Sequence, residues 1–158
     1  MSLTVLVLVQ WLHILMGITW FGGYIFLDFV IWPTLLKRPA AEAKAVLVLT
    51  GKYTGPLMMV SGTLVILLGI VRGTLLGPIT SFSFLFTTAY GLTWLTALTI
   101  ALILSVWGAN WHTRWLGPVW EEDNVRPAAI RRLRAGTIFE MACFGSILAC
   151  MVLMGVGL

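Results

Sequence analysis

Charge is what this sequence has least of. Lys, Arg, Asp and Glu make up 10% of the 158 residues, against 59% hydrophobic residues and a mean hydropathy of +0.99. A water-soluble domain could not cover that much apolar material with polar surface, so the solvent must be largely lipid. Cysteine is scarce too. Cys143 and Cys150 both fall in the last apolar run, too far apart along one helix to bridge, which excludes a disulfide framework and leaves buried apolar thiols as the ordinary reading. The chain has no phosphate-binding motif, no CxxC and no HExxH, so nucleotide and hydrolase chemistry have nothing to stand on. The start, MSLTVLVLVQW, lacks the basic residues and the small-residue cleavage site of a secretory signal, and its apolar run is expected to remain as the first span.

What is present is four apolar stretches, at roughly 3–32, 56–76, 86–111 and 136–157. Each is long enough for a hydrocarbon core that needs about 20 apolar residues. Backbone N–H and C=O groups in lipid need internal partners, so the expected fold is all-α, a single-domain four-helix transmembrane bundle over 1–158. Ala40–Thr50 reads as a short amphipathic helix lying on the membrane surface, and the Glu-Glu-Asp-Asn run at 121–124 opens a polar stretch before Pro127.

Basic residues orient the bundle. Lys37, Arg38, Lys44 and Lys52 lie in the first connection and Arg114, Arg126, Arg131, Arg132 and Arg134 in the third, whereas Arg72 alone borders the second. Cytoplasmic loops retain such residues, so loops 33–55 and 112–135 are expected in the cytoplasm, with both termini outside, in a bacterial cytoplasmic membrane. Trp107, Trp111, Trp115 and Trp120 crowd the same inner end, as a headgroup-level aromatic belt would. The net charge of +4 is then a topology signal with some attraction to anionic lipid, and no nucleic-acid partner is implied.

The first helix carries the most informative pattern. At 100° per residue, Gln10, His13, Gly17, Trp20, Tyr24 and Asp28 fall in one stripe roughly 80° wide. Polar groups are costly in a bilayer, so this stripe is expected to face protein. His13 lies about 15 Å below the outer end at 1.5 Å per residue, near mid-bilayer. A neutral imidazole there is a ligand type suited to haem iron, copper or zinc; a histidine hydrogen-bonded to a neighbouring helix is the structural alternative.

On the second helix Met58, Gly62, Gly69 and Gly73 share a narrow face with Ser61 alongside, a groove fit for close helix packing or for a flat macrocycle. The fourth helix presents Glu140, Cys143, Ser146, Cys150 and Met154 on a broad face. Asp28, Glu140, Asn110 and His112 all approach the inner boundary, either as a proton relay or as a structural cluster in which the carboxylates pair with Arg114 or Lys52. His13 and His112 differ in depth by roughly 25 Å, so both cannot ligate one haem within a subunit. Met151 and Met154, near the outer end, are the methionines placed to assist His13; as thioethers they favour Cu(I), and as side chains they are ordinary core filler.

The run Trp11-Leu12-His13-Ile14, then Trp20-Phe21-Gly22-Gly23 and an apolar stretch ending at Pro33, resembles the first helix of CopD-like membrane proteins. These include copper-resistance protein D domains and small four-helix relatives. A more distant likeness is to the HemJ type of protoporphyrinogen oxidase, through Leu12-His13-Ile14, Trp20-Phe21-Gly22-Gly23 and Phe139-Glu140. That resemblance implies His13 as an axial ligand of b-type haem. The HemJ pattern has an arginine near the position of Asp28 and a His-x-Lys where this chain has Thr93, Trp94 and Thr96, which leaves Arg72 as the cation available to a porphyrin propionate.

The leading expectation is therefore a haem b protein of membrane redox chemistry. His13 is the ligand, Gly17, Trp20, Gly62 and Gly69 shape the pocket, Arg72 stands near its outer end, and a quinone, a porphyrin or a partner membrane subunit exchanges electrons. The alternatives are copper passage through His13, Cys150, Met151 and Met154, and a non-catalytic membrane subunit whose polar stripe contacts another protein, which the Gly69–Gly73 spacing would also permit; a homo-oligomer is a further expectation.

Overall fold

Amides in hydrocarbon have no water to bond, and the chain meets that demand with helix almost throughout. The computed structural model describes residues 3–111 and 116–157. Helix α1 spans Leu3–Phe26, passes through a π-helical turn at Leu27–Ile31, and continues as α2, Trp32–Leu35. The wider turn immediately precedes Pro33, whose ring cannot sit beside a regular i−4 carbonyl, and it takes in Asp28.

Helix α3 runs unbroken from Ala40 to Gly73. The expected division into a surface helix at Ala40–Thr50 and a span beginning at 56 is thus corrected. Pro56 lies inside the helix, and threonines upstream keep nearby carbonyls bonded: Thr50 donates to Val46 O at 2.7 Å and Thr54 to Thr50 O at 3.1 Å. At 1.5 Å per residue its 34 residues reach about 51 Å, well beyond a core of about 30 Å, so the end bearing Glu42, Lys44 and Lys52 projects past the hydrocarbon.

The third span is also divided differently from expectation. Short α4, Phe82–Thr87, precedes α5, Ala89–Asn110. Thr88 is extended and its hydroxyl accepts from Gly91 N at 3.0 Å, an N-cap that starts α5 afresh. Before the last helix, Trp120–Glu121 (β1) pairs antiparallel with Asn124–Val125 (β2), turning through Glu122 at φ 52°. Helix α6 then spans Pro127–Gly155, starting well before the expected 136 because Pro127 is an apt first-turn residue.

Four helical segments are long and apolar enough to cross a membrane. Only 11–17% of the most apolar window of each is buried in protein, so the remaining apolar surface is suited to lipid. Exposed hydroxyls on these faces are satisfied within their own helices, as when Thr19 donates to Leu15 O at 2.9 Å and Thr96 to Leu92 O at 2.8 Å, and they mark no site.

Helix α1 packs along α3, α5 along α6, and α3 also meets α5. One apolar cluster, with Trp32, Leu35, Ala43, Trp111, Trp120 and Leu133, fills the end of the bundle that holds the long connections. A second, of Trp20, Tyr24, Ala101, Leu104 and Phe144, lies midway. The half that carries the chain termini is not filled in this way.

Candidate functional site

That half contains a cavity of about 420 Å³. All four spanning helices line it: α1 with Gln10, His13, Gly17 and Trp20, α3 with Gly69, Arg72 and Gly73, α5 with Tyr90 and Trp94, and α6 with Phe144, Met151 and Met154. The volume lies in the range of about 300–1,000 Å³ usual for small-molecule sites. The stripe expected on α1 therefore does face protein. Its first four members meet the cavity, while Trp20 and Tyr24 are buried in the midway cluster.

The glycine face of α3 sets the walls, because each glycine receives a group from a neighbouring helix. A Cβ at Gly62 would come within 2.9 Å of the Trp20 indole, one at Gly69 within 3.1 Å of His13 Cε1, and one at Gly73 would run into the Trp94 indole. Trp94 Nε1 donates to Gly69 O at 3.3 Å. Gly62 thus stands beneath Trp20, outside the cavity lining, and the glycine groove is filled by the protein's own rings. A flat macrocycle would have to lie beyond those rings. Gly73→Val should destabilise the bundle by about 1–3 kcal/mol through overpacking against Trp94, whereas Gly69→Ala should cost less because the imidazole needs to shift only slightly. Thermal unfolding in detergent checks that order.

His13 is half-buried and stands within reach of the Val65 backbone carbonyl, and its Nδ1 is buried with no hydrogen-bond partner among the described residues. Buried polar atoms are nearly always satisfied, and this nitrogen is closed off from the cavity, so a group bound there would be met by the other edge of the ring. Arg72 donates through Nε to Gln10 Oε1 at 3.1 Å and through a terminal nitrogen to Leu76 O at 3.4 Å, fixing a guanidinium on the cavity wall near the termini. Sequence reasoning placed Gln10 and Arg72 on their helices but missed their bond; both being polar near the same end of adjacent spans was the available signal.

Of the sulfur residues, Met151 and Met154 line the cavity and Cys150 does not. Among the described residues no three His, Cys, Asp or Glu side chains come together as a metal site. The Gly69–Gly73 spacing, read as a surface for another protein, is used inside the bundle by His13 and Trp94.

Below the aromatic floor is a separate polar group. Glu140 is 2% exposed and accepts from Trp107 Nε1 at 2.8 Å. Asp28 lies within hydrogen-bonding reach of Glu140 and Thr137, and its Oδ2 is buried without a donor among the described residues. The structural expectation for Asp28 was a salt bridge to Lys52 or Arg114. Lys52 instead lies over the Tyr53 ring, and Arg114, like His112, falls outside the described residues. An ionised carboxylate only accepts, so a bond between Asp28 and Glu140 requires a proton between them. Trp107, read from sequence as a belt residue, is in part the donor that anchors this group. Glu140→Leu should cost about 1–3 kcal/mol by removing the indole's acceptor, and Glu140→Gln, which keeps a carbonyl, should recover most of it. Chemical unfolding of the two variants side by side measures the difference.

No family model matches the chain, and neither does any curated protein or solved structure.

Proposed function

We propose that the cavity holds a b-type haem with His13 as an axial ligand, and that the protein serves membrane redox chemistry. The observation that carries this reading is an imidazole, that of His13, on the wall of a largely apolar cavity deep in a spanning helix, with its Nδ1 turned into the protein. The donor set fits the group. His13 supplies the ligand, the Val65 carbonyl is the kind of neighbour that orients a ligating imidazole, and Arg72 offers a cation for an acidic edge. When bound, the haem would supply one-electron exchange with a quinone, a porphyrin or a partner subunit. The protein's own contribution is burial by Trp20, Trp94 and Phe144, which lowers the local dielectric, and orientation of the His13 ring against Gly69.

Copper is the second reading, favoured by Met151 and Met154 lining the same cavity as His13. One spectrum separates the two. Purified protein, expressed with adequate haem, should show a Soret band and sharpened α and β bands on reduction with dithionite. A colourless protein containing copper by metal analysis would replace haem with the second reading, and a protein with neither would leave a scaffold role.

The membrane is taken to be a bacterial cytoplasmic membrane, with the termini outside. In support, Lys44, Lys52, Arg126, Arg131, Arg132 and Arg134 all lie toward the end opposite the termini, leaving Arg72 as the basic residue near the cavity's end. Reporter fusions to the C-terminus would test that orientation.

A further inference from the structure

The cavity does not close on all sides. Helices α1 and α6 touch where Phe144 meets Trp20, Phe21 and Tyr24, with ring centroids 5.1, 4.7 and 5.4 Å apart, and again near Asp28 and Glu140. On the termini side of Phe144, no hydrogen bond, ion pair or ring contact joins the two helices among the described residues. Besides Gly155 at the end of α6, the residues there that both line the cavity and are open to the surroundings are large and apolar: Ile14 at 43% exposure, Ile18 at 65% and Leu148 at 55%. A residue with both properties stands at a mouth. These are apolar side chains at membrane depth, so the mouth faces hydrocarbon and admits what is dissolved in lipid.

At the termini end of the same space the Arg72 guanidinium, held by Gln10, is the fixed charge on the wall. From these observations we propose that the cavity is loaded sideways from the bilayer, through a slot between α1 and α6 lipped by Ile14, Ile18 and Leu148. Its ligands are membrane-dissolved amphiphiles whose apolar body fills the space and whose acidic end is bound by Arg72. The inference rests on the cavity being a ligand site. It adds the route and the chemistry of the ligand, namely an apolar body with a carboxylate at one end, which a haem or porphyrin with its propionates shares with simpler lipid acids.

The test uses haem-free full-length protein in nanodiscs and a palmitate carrying a diazirine near its chain end, photolysed and mapped by mass spectrometry. Labelling is expected on cavity-wall residues such as Ala97 and Met151, to be lost in an Ile18→Trp/Leu148→Trp variant that obstructs the slot, and to need about tenfold more probe in Arg72→Gln, which loses the charge-assisted bond. Both lip positions are exposed, so folding should survive; Leu67→Trp, at 52% exposure and away from the cavity lining, is the matched control and should label like wild type. Wall labelling unchanged in the lip variant, or labelling confined to outward residues such as Val152, overturns the proposal. The haem spectrum is read separately. A colourless protein with slot-dependent labelling removes haem and keeps the slot, and a coloured protein whose labelling ignores the lips does the reverse.

Discussion

If His13 ligates a haem as proposed, His13→Ala is expected to yield a folded bundle without haem absorbance. Both halves of that expectation follow from position. The ring packs on Gly69 at the edge of existing space, so its removal enlarges a cavity and leaves the midway cluster of Trp20, Tyr24, Ala101, Leu104 and Phe144 as it was. Meanwhile it takes away the one imidazole that the described residues place on the cavity wall. Loss of an axial ligand of this kind should abolish retention through purification, not merely shift a band. His112 lies outside the described residues, and the expectation from the sequence, that it does not share a haem with His13, predicts that His112→Ala keeps the Soret band. Cys150→Ala should also keep it, because that thiol does not line the cavity. Equal loss in the His13 and His112 variants would mean that the assigned depths are wrong. An undiminished spectrum in His13→Ala would remove this residue from the site.

The largest loss of stability should come from Trp20→Ala. Trp20 is 4% exposed, its ring meets Phe144 edge-on at 5.1 Å and Tyr24 at 6.5 Å, and its indole occupies the space that Gly62 leaves open. Truncation removes contacts to three helices at once and opens the floor of the cavity. Deleting a buried Trp costs about 3–5 kcal/mol in soluble cores, and in a bilayer the packing share of that cost remains because lipid cannot enter the hole. A loss of about 3 kcal/mol is expected, measurable by reversible unfolding in mixed micelles. Trp11→Ala is the informative control. Trp11 is 71% exposed on the same helix and should change stability little. Comparable losses at both positions would show that the aromatic floor is not the keystone of the packing.

Much of the site was legible on α1. The spacing of Gln10, His13, Gly17 and Trp20 marked a protein-facing stripe because polar groups avoid lipid, and those residues do line the cavity. The glycines of the second helix were legible as a close-approach face, though what approaches each of them was not. For Asp28 the sequence offered a proton relay with Glu140 or pairing with Lys52 or Arg114; Arg114 lies outside the described residues, and the fold brings Glu140 and Thr137 within reach of Asp28. The continuity of α3 through Pro56 was equally hidden, since the rule that proline ends a helix weakens inside a long membrane helix, where the turns on either side keep their own bonds.

The division follows from the range of the forces. Composition pointed to lipid as the solvent, and apolar runs of about 20 residues, too long for barrel strands, pointed to helices, whose hydrogen bonds close within four residues and ask nothing of the rest of the chain. Which helices touch is a different matter. Protein interior and hydrocarbon are equally apolar, so a Leu or Ile facing a neighbouring helix carries the same hydrophobic signal as one facing lipid, and the pattern of apolar residues does not say where a partner lies. The tertiary structure chose the partners through shape. Glycines on α3 admit rings from α1 and α5, Phe144 of α6 locks the floor, and the space left above it brings His13, Arg72, Trp94 and Met151 from four separate helices to one cavity.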